Sequence, residues 1–209
     1  VFLPANLSRL VIDPYRDACN VGTRIGNKFE IETPFLITGF DNSPTEVRDG
    51  LASSLSAQES AYLGCLPLAR NIPWFQLIID GASESDPSAV AQIHGFQHGF
   101  QRIDARRSDE RQLLGLALRA SDLGDGIPYA LEEGFDLLVL DATSCLTNPW
   151  VELEGPPDIS IIRDAIRILR EMNREEDIDL LYFGGIRSGT DAAKLIGLGC
   201  KAVVLGVAM

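Results

Sequence analysis

Near the end of the chain an apolar run, Leu180-Leu181-Tyr182-Phe183, stops at Gly184-Gly185 and continues as Ile186-Arg187-Ser188-Gly189-Thr190. A second apolar run, Ala202-Val203-Val204-Leu205, follows and also stops at a glycine, Gly206. Strand, glycine loop, short helix, strand, glycine is how (β/α)8 barrels hold a phosphate after their last two strands. The glycines bring backbone N–H groups close to an anion, and the helix start adds its positive end. An ordinary βαβ unit with glycine turns has the same spacing, so the motif alone leaves both readings open.

The rest of the chain carries the same alternation. Phe35 to Phe40, Phe75 to Asp80 and Phe135 to Asp141 read as buried strands, the last (FDLLVLD) apolar on both faces. Ser43-Pro44-Thr45-Glu46 reads as a capping box opening a helix with Val47, Leu51 and Leu55 at helical spacing. Asp86-Pro87 is expected to open a short helix carrying Val90 and Ile93, and Ile127 to Glu133 another, stopped by Gly134. Leu113 to Leu118 suits a strand or a buried helix. Asp158 is expected to cap a long helix with Ile162, Ile166 and Leu169 inward and Arg163, Arg167 and Arg170 outward. Alternating strands and helices imply a parallel sheet in one α/β domain over residues 35–209, after an irregular, proline-punctuated segment over 1–34.

The 209 residues are few for a complete barrel, which typically has about 250. The expectation is therefore a (β/α)8 TIM barrel that is incomplete or has shortened connections. A net charge of −12 argues against nucleic-acid and anionic-membrane partners. Cys19, Cys65, Cys145 and Cys200 stand apart with no C-x-x-C pair, so neither a zinc site nor an iron–sulfur cluster is written here, and the sparing use fits a reducing cytoplasm. No signal peptide and no apolar span of about 18 residues is present, so no membrane span is expected. The chain begins without Met and stops just after an apolar run, as a fragment would.

In order along the chain, the residues resemble the FMN-binding barrel of the glutamate synthase family. VFLPANL resembles that family's "DLVFLPAQL" opening, and TPFLITGF its first strand, "TPIFVSGM". GDGIPYALEEGFDLLVLD is similar to "GIADIAAGVAKAGADIITID", and YFGGIRSGTDAAKLIGLGCKAVVLG to "IADGGLRTGADVAKALALGADAVYIG". The last quarter is the most specific, and its GG-x-R-[ST]-G motif recurs among FMN-linked oxidoreductase barrels generally. The resemblance implies FMN as cofactor, its phosphate surrounded by Gly184, Gly185, Arg187, Ser188, Gly189 and Gly206, and an oxidoreductase activity of glutamate synthase type.

Against that family the site departs in several places. The small loop after the first strand is replaced by Asp41-Asn42-Ser43-Pro44, and "NSGEGG" by Pro67-Leu68-Ala69-Arg70-Asn71. "KIGQGAKPG" is replaced by Gly95-Phe96-Gln97-His98-Gly99-Phe100, and "DGHDGGTGA" by Asp141-Ala142-Thr143-Ser144-Cys145-Leu146-Thr147-Asn148. The lysine of "VKLA" aligns with Leu116, with Arg119 three residues on, and the cluster cysteines are missing. The expectation is an FMN-binding, glutamate-synthase-like oxidoreductase domain with a diverged site, in which Asp41 and the missing lysine disfavour reduced flavin. The alternative is a non-catalytic barrel serving as a structural or regulatory subunit. Either form is expected to work as a homo-oligomer or in a larger protein complex, burying at least about 1,000 Å².

Other residues are weighed against simpler roles. His94 and His98 would share a helix face as metal ligands can, but Gly95 and Gly99 oppose a helix and no metal is expected. Asp80 and Asp141 end strands where a barrel keeps its chemistry, and are equally turn and cap formers. Cys145 has no neighbouring base and reads as inert. Arg102, Arg106, Arg107 and Arg111 read as a solvated helix face, and Trp74 and Trp150 as packing residues.

Overall fold

The apolar runs become strands whose side chains alternate between two dry layers. In a computed structural model the described residues are 20–69, 71–147 and 156–206. The VFLPANL opening, Cys19, Arg70, Asn148 and Trp150 lie outside them. A hairpin, β1 (Thr23–Ile25) and β2 (Phe29–Ile31), comes first. Eight strands follow: β3 (Phe35–Thr38), β4 (Ala61–Gly64), β5 (Trp74–Ile79), β6 (Ala91–Gly95), β7 (Leu113–Leu118), β8 (Leu137–Asp141), β9 (Asp179–Phe183) and β10 (Ala202–Leu205). All eight pair in parallel and close in the order β10-β3-β4-β5-β6-β7-β8-β9. The expected α/β barrel is therefore borne out, and its strand set is complete.

Residue parity decides which layer each side chain joins. Leu36, Leu63, Phe75, Leu77, Ile93, Ala117, Val139, Leu181 and Val204 fill the interior. Leu114, Leu116, Leu118, Leu138, Leu140, Tyr182 and Val203 face outward and pack under the helices. Gly115 has inward parity, and a Cβ there would run into Ile93 and Leu137, so the missing side chain makes room for theirs.

The economy lies in the connections. Among the described residues, helices follow β3, β7, β8 and β9: α1 (Thr45–Ala57), α2 (Leu123–Glu132), α3 (Ser160–Glu171) and α4 (Gly189–Gly197). Among the described residues, no helix joins β4 to β5, β5 to β6 or β6 to β7. The short helix expected after Asp86-Pro87 is strand β6 instead, and Ile93 points into the barrel. The arginine cluster expected on a helix face lies in the β6–β7 loop; Arg107 binds Gly134 O and Asp136, and Arg102 stacks over the Tyr129 ring. The capping box at Ser43 also fails to form: α1 starts after Pro44 with no side-chain cap bond. The cap position of α3 is Ile159, with no side-chain cap bond; the Asp158 carboxylate one residue earlier accepts from Ser160 N at 2.9 Å.

Where helices are missing, buried glutamines hold the loops. Gln76 Nε2 donates to Glu84 O at 2.9 Å, and its Oε1 accepts from Asp86 N at 2.7 Å. Gln92 Nε2 reaches Arg106 O and Gln112 Oε1. Gln112 Nε2 donates to Asp86 O and Ala89 O, both at 2.9 Å, while its Oε1 accepts from Ser108 N. All three glutamines are buried. Their amides satisfy loop carbonyls and N–H groups that would otherwise sit dry and unpaired.

Part of the segment expected to be irregular closes the base of the barrel. Gly26 and Asn27, at φ 57 and 55°, make the tight turn of the β1–β2 hairpin. Ile25 and Ile31 are buried in the interior cluster, Phe29 meets Phe75 edge-on at 5.6 Å, and Gly26 N donates to Asp179 at 2.7 Å. No helix among the described residues is long and apolar enough to cross a membrane.

Replacing Gln112 with Ala takes the amide's bonds from Ala89 O, Ser108 N and the Gln92 amide, while Asp86 O keeps its bond from Ala89 N. We expect a stability loss of about 2–4 kcal/mol, read from urea denaturation. A loss below about 1 kcal/mol would show that water takes over the amide's bonds.

Candidate functional site

At the C-terminal mouth, the ends of β9 and β10 bring the expected phosphate residues together. Gly184 and Gly185 follow β9 at φ 137 and 60°, a region in which side-chain-bearing residues are strained. Gly184 is buried, whereas Gly185, Arg187, Ser188 and Gly189 are exposed. A Cβ on Gly185 would enter the Pro157 ring, and one on Gly206 would meet Phe183 at 3.0 Å. A Cβ on Gly189 meets nothing within 4 Å. Ser188 caps α4, its Oγ accepting from Asp191 N at 3.2 Å, and the Asp191 carboxylate accepts from Arg187 N at 3.3 Å. The helix start is thus pre-shaped and points its first turn at the mouth, although Asp191 already answers part of its positive end.

The neighbouring part of the mouth, from the end of β8 beside β9 across to β6, is built by residues 141–147; a Cβ on Gly184 would come 2.8 Å from Thr143 Cγ2 and 3.2 Å from Ala142 Cβ. Asp141 is buried and serves as the hub of its loop. Its Oδ1 accepts from Thr143 N and Thr143 Oγ1 at 3.0 and 2.9 Å, and its Oδ2 from Leu146 N at 2.9 Å. Leu146 is buried in the barrel's interior cluster. Thr147 is buried beside it, donating from Oγ1 to Phe96 O at 3.2 Å and accepting from Gln97 Nε2 at 3.4 Å. Of the two open readings of Asp141, the geometry supports the turn former. Asp80, at φ 49°, accepts from Gln97 N at 3.2 Å and holds the neighbouring loop in the same way.

Two placements drawn from residue type are corrected by parity and hydrogen bonding. Leu116 does not occupy a ligand-facing position: it points outward into the helix-side layer, fully buried. The cation with inward parity on β7 is Arg119, just past the strand end. Its Nε pairs with Asp122 at 3.1 Å, and its Nη1 donates to Gln97 O at 3.2 Å. Asp41 is likewise no free charge beside a ligand. It accepts from Tyr62 Oη, Cys65 N and Leu66 N at 3.1, 3.0 and 3.2 Å, stapling the β3 loop to the β4 loop. Burial and then Asp41 push the Cys65 thiol up to about 11, so it stays protonated and unreactive near neutral pH.

His94 and His98 are not one face of a helix: His94 belongs to β6 and His98 to the exposed loop after it. Nε2 of His94 is buried without a hydrogen-bond partner, and burial pulls its pKa down to about 4. No group of three His, Cys, Asp or Glu side chains among the described residues is arranged to hold a metal. Trp74 packs in the outer cluster with Tyr62 and Leu55. The residues missed by sequence reasoning are Leu146, Thr147 and Gln97, whose positions follow from loop hydrogen bonds that no spacing announces.

No family model matches the chain. Over 95 residues, 41% of this chain, it is 35% identical to a glutamate synthase large subunit-like protein of Rhizobium meliloti, of which the match takes in 22%. Among solved structures, the recombinant flavin-binding domain of baker's yeast flavocytochrome b2 aligns at TM-score 0.63 and 14% identity. That alignment covers 94% of this chain and 62% of the other. A mandelate oxidase mutant with a C4a-OH-FMN adduct aligns at TM-score 0.62 and 13% identity, covering 90% of this chain and 69% of the other. The likeness to a glutamate synthase-type protein is therefore borne out over part of the chain, and the fold is a closed eight-stranded parallel barrel like that of the flavocytochrome b2 flavin-binding domain.

His94 sets a pH dependence. Its folded pKa of about 4 lies below the ordinary 6.5, so between those values the unfolded chain binds a proton that the folded chain refuses. Stability from this group is complete above pH 6.5 and falls as pH drops toward 4, by up to about 3 kcal/mol at about 1.4 per unit. His94→Leu should remove that component, so its stability difference from wild type shifts in the variant's favour between about pH 7 and about pH 4.5. A constant difference in chemical denaturation across the window would assign the acid sensitivity to other groups.

Proposed function

We propose that this chain is an FMN-binding, glutamate-synthase-like oxidoreductase domain whose site has diverged from the family pattern. The observation that supports the reading best is the glycine loop after β9, set at the barrel's C-terminal mouth with Arg187, Ser188 and the start of α4 beside it. Gly184, Gly185, Arg187, Ser188, Gly189 and Gly206 would hold the phosphate, through backbone N–H groups, the Ser188 hydroxyl and the Arg187 charge. The open space at Gly189 and the exposure of Arg187 suit a group arriving from solvent. Bound FMN would supply hydride and single-electron transfer. Arg119, held by Asp122 and Gln97 O, is the residue we assign to balance negative charge at the ring end. The curated relative is a large subunit-like protein, and we place this chain likewise in a larger assembly or an oligomer.

A second reading, a non-catalytic barrel kept for structure or regulation, draws support from Leu146 and Thr147, which fill the mouth where a ring would enter. FMN titration separates the two. Arg187→Ala should weaken FMN by about 10- to 100-fold, as expected for losing a charged hydrogen bond, and leave riboflavin, which has no phosphate, unchanged. Equal FMN affinity in the variant would put the phosphate elsewhere. A folded wild-type protein that binds no flavin would favour the structural reading. Gly185 is unsuitable for this test, because any side chain there strains the fold against Pro157.

A further inference from the structure

We propose that the loop over residues 142–147 is a built-in plug: Leu146 and Thr147 seat in the barrel mouth above β6 and β8 and must leave before a planar ligand can enter. The proposal rests on the FMN reading above for the identity of that ligand. Three observations carry it. Leu146, a loop residue, is buried among the side chains that fill the barrel interior. Thr147 lies directly over Gly95: a Cβ on Gly95 would come 2.5 Å from Thr147 Cγ2, with interior residues Ala117 and Leu77 next, at 3.5 and 3.7 Å. Polar bonds latch the seat, from Leu146 N to Asp141 Oδ2, from Thr147 Oγ1 to Phe96 O and from Gln97 Nε2 to Thr147 O.

The latch is shallow by design of its chemistry. Its bonds run between loops and strand ends rather than within a strand ladder, so it can open without unravelling the barrel. Gln97 joins the two ends of the device, since its side chain holds Thr147 while its carbonyl holds Arg119 Nη1. Releasing the plug therefore also frees the surroundings of the mouth's inward-facing cation. A ligand that meets the plug pays in apparent affinity for the rarity of the open state, because only the open fraction binds.

Gly95→Ala tests this. Its methyl makes ordinary contacts with Ala117 and Leu77 and displaces only Thr147. Leu146→Ala weakens the same plug without adding an atom to the mouth. If the closed state dominates by about 10:1 or more, both variants should bind FMN at least about tenfold more tightly than wild type. Amide exchange at Leu146, slowed by Asp141 in the closed state, should speed up in both. Adding Thr147→Ser to Gly95→Ala removes Cγ2, keeps Oγ1 and should restore wild-type affinity and exchange. Faster exchange with FMN affinity unchanged or weaker in both single variants overturns the plug and leaves the flavin reading standing. Unchanged exchange in both also overturns it, since Thr147 would then not be seated on Gly95. FMN bound by none of the four proteins removes the flavin reading, and this proposal with it.

Discussion

Closing eight parallel strands into a ring removes every edge of that sheet and makes residue parity the governing constraint of the molecule. Once Phe75, Ile93 and Val139 are inside, Leu114, Leu116 and Leu138 must be outside. Just past the strand end, Arg119 continues the parity of inward-facing Ala117 and pairs with Asp122 and Gln97 O. The wall also fixes the glycines. Gly95 and Gly115 stand at inward positions where neighbours from adjacent strands or loops occupy the space of a side chain. Substitutions inside the ring are therefore coupled across strands, while those in the outer layer answer to whichever element covers them.

What covers the outer layer differs around the ring. From β7 to β10 amphipathic helices bury leucines, isoleucines and alanines. On β5 and β6 the corresponding outward positions are Gln76 and Gln92, covered by loops rather than helices. A loop brings unpaired carbonyls and N–H groups where a helix would bring satisfied ones, so the wall beneath it needs polar partners. That exchange is how a chain of this length completes the ring. It also explains why the short length misleads about completeness: what is shortened is the connections, and all eight strands are present.

Legibility in the sequence followed the same division. β8 and β9 were readable because both faces of each strand are dry, leaving long unbroken apolar runs. β6 was not, because Gln92 and His94 interrupt it and Val90 and Ile93 fall three apart, mimicking a helix turn. β4, four residues with no flanking signal, left no trace, nor did the hairpin plug at the base. Leu116 aligns with a family lysine by neighbouring residue types, which carry no parity. Asp41 looked like a loose charge because its partner hydroxyl on Tyr62 lies 21 residues away in sequence.

The two ends of the candidate site differ in the same physical way. The end proposed to hold the phosphate is made from main chain: positive φ at Gly184 and Gly185 and the start of α4. Such geometry demands particular residues, so it is written locally and survives as a motif. The ring end is made from side chains contributed by β6, β7, β8 and their loops, each held by a partner distant in sequence. Divergence can proceed there without disturbing the wall, since Asp141, Thr147 and Gln97 bond to one another's loops instead of to the strands. On the proposed reading, such a barrel keeps its anion-holding loop while the adjoining loop over β6 and β8 changes from a ligand surface into a closure. On that proposal, whether it admits a flavin is set by the free energy of one loop.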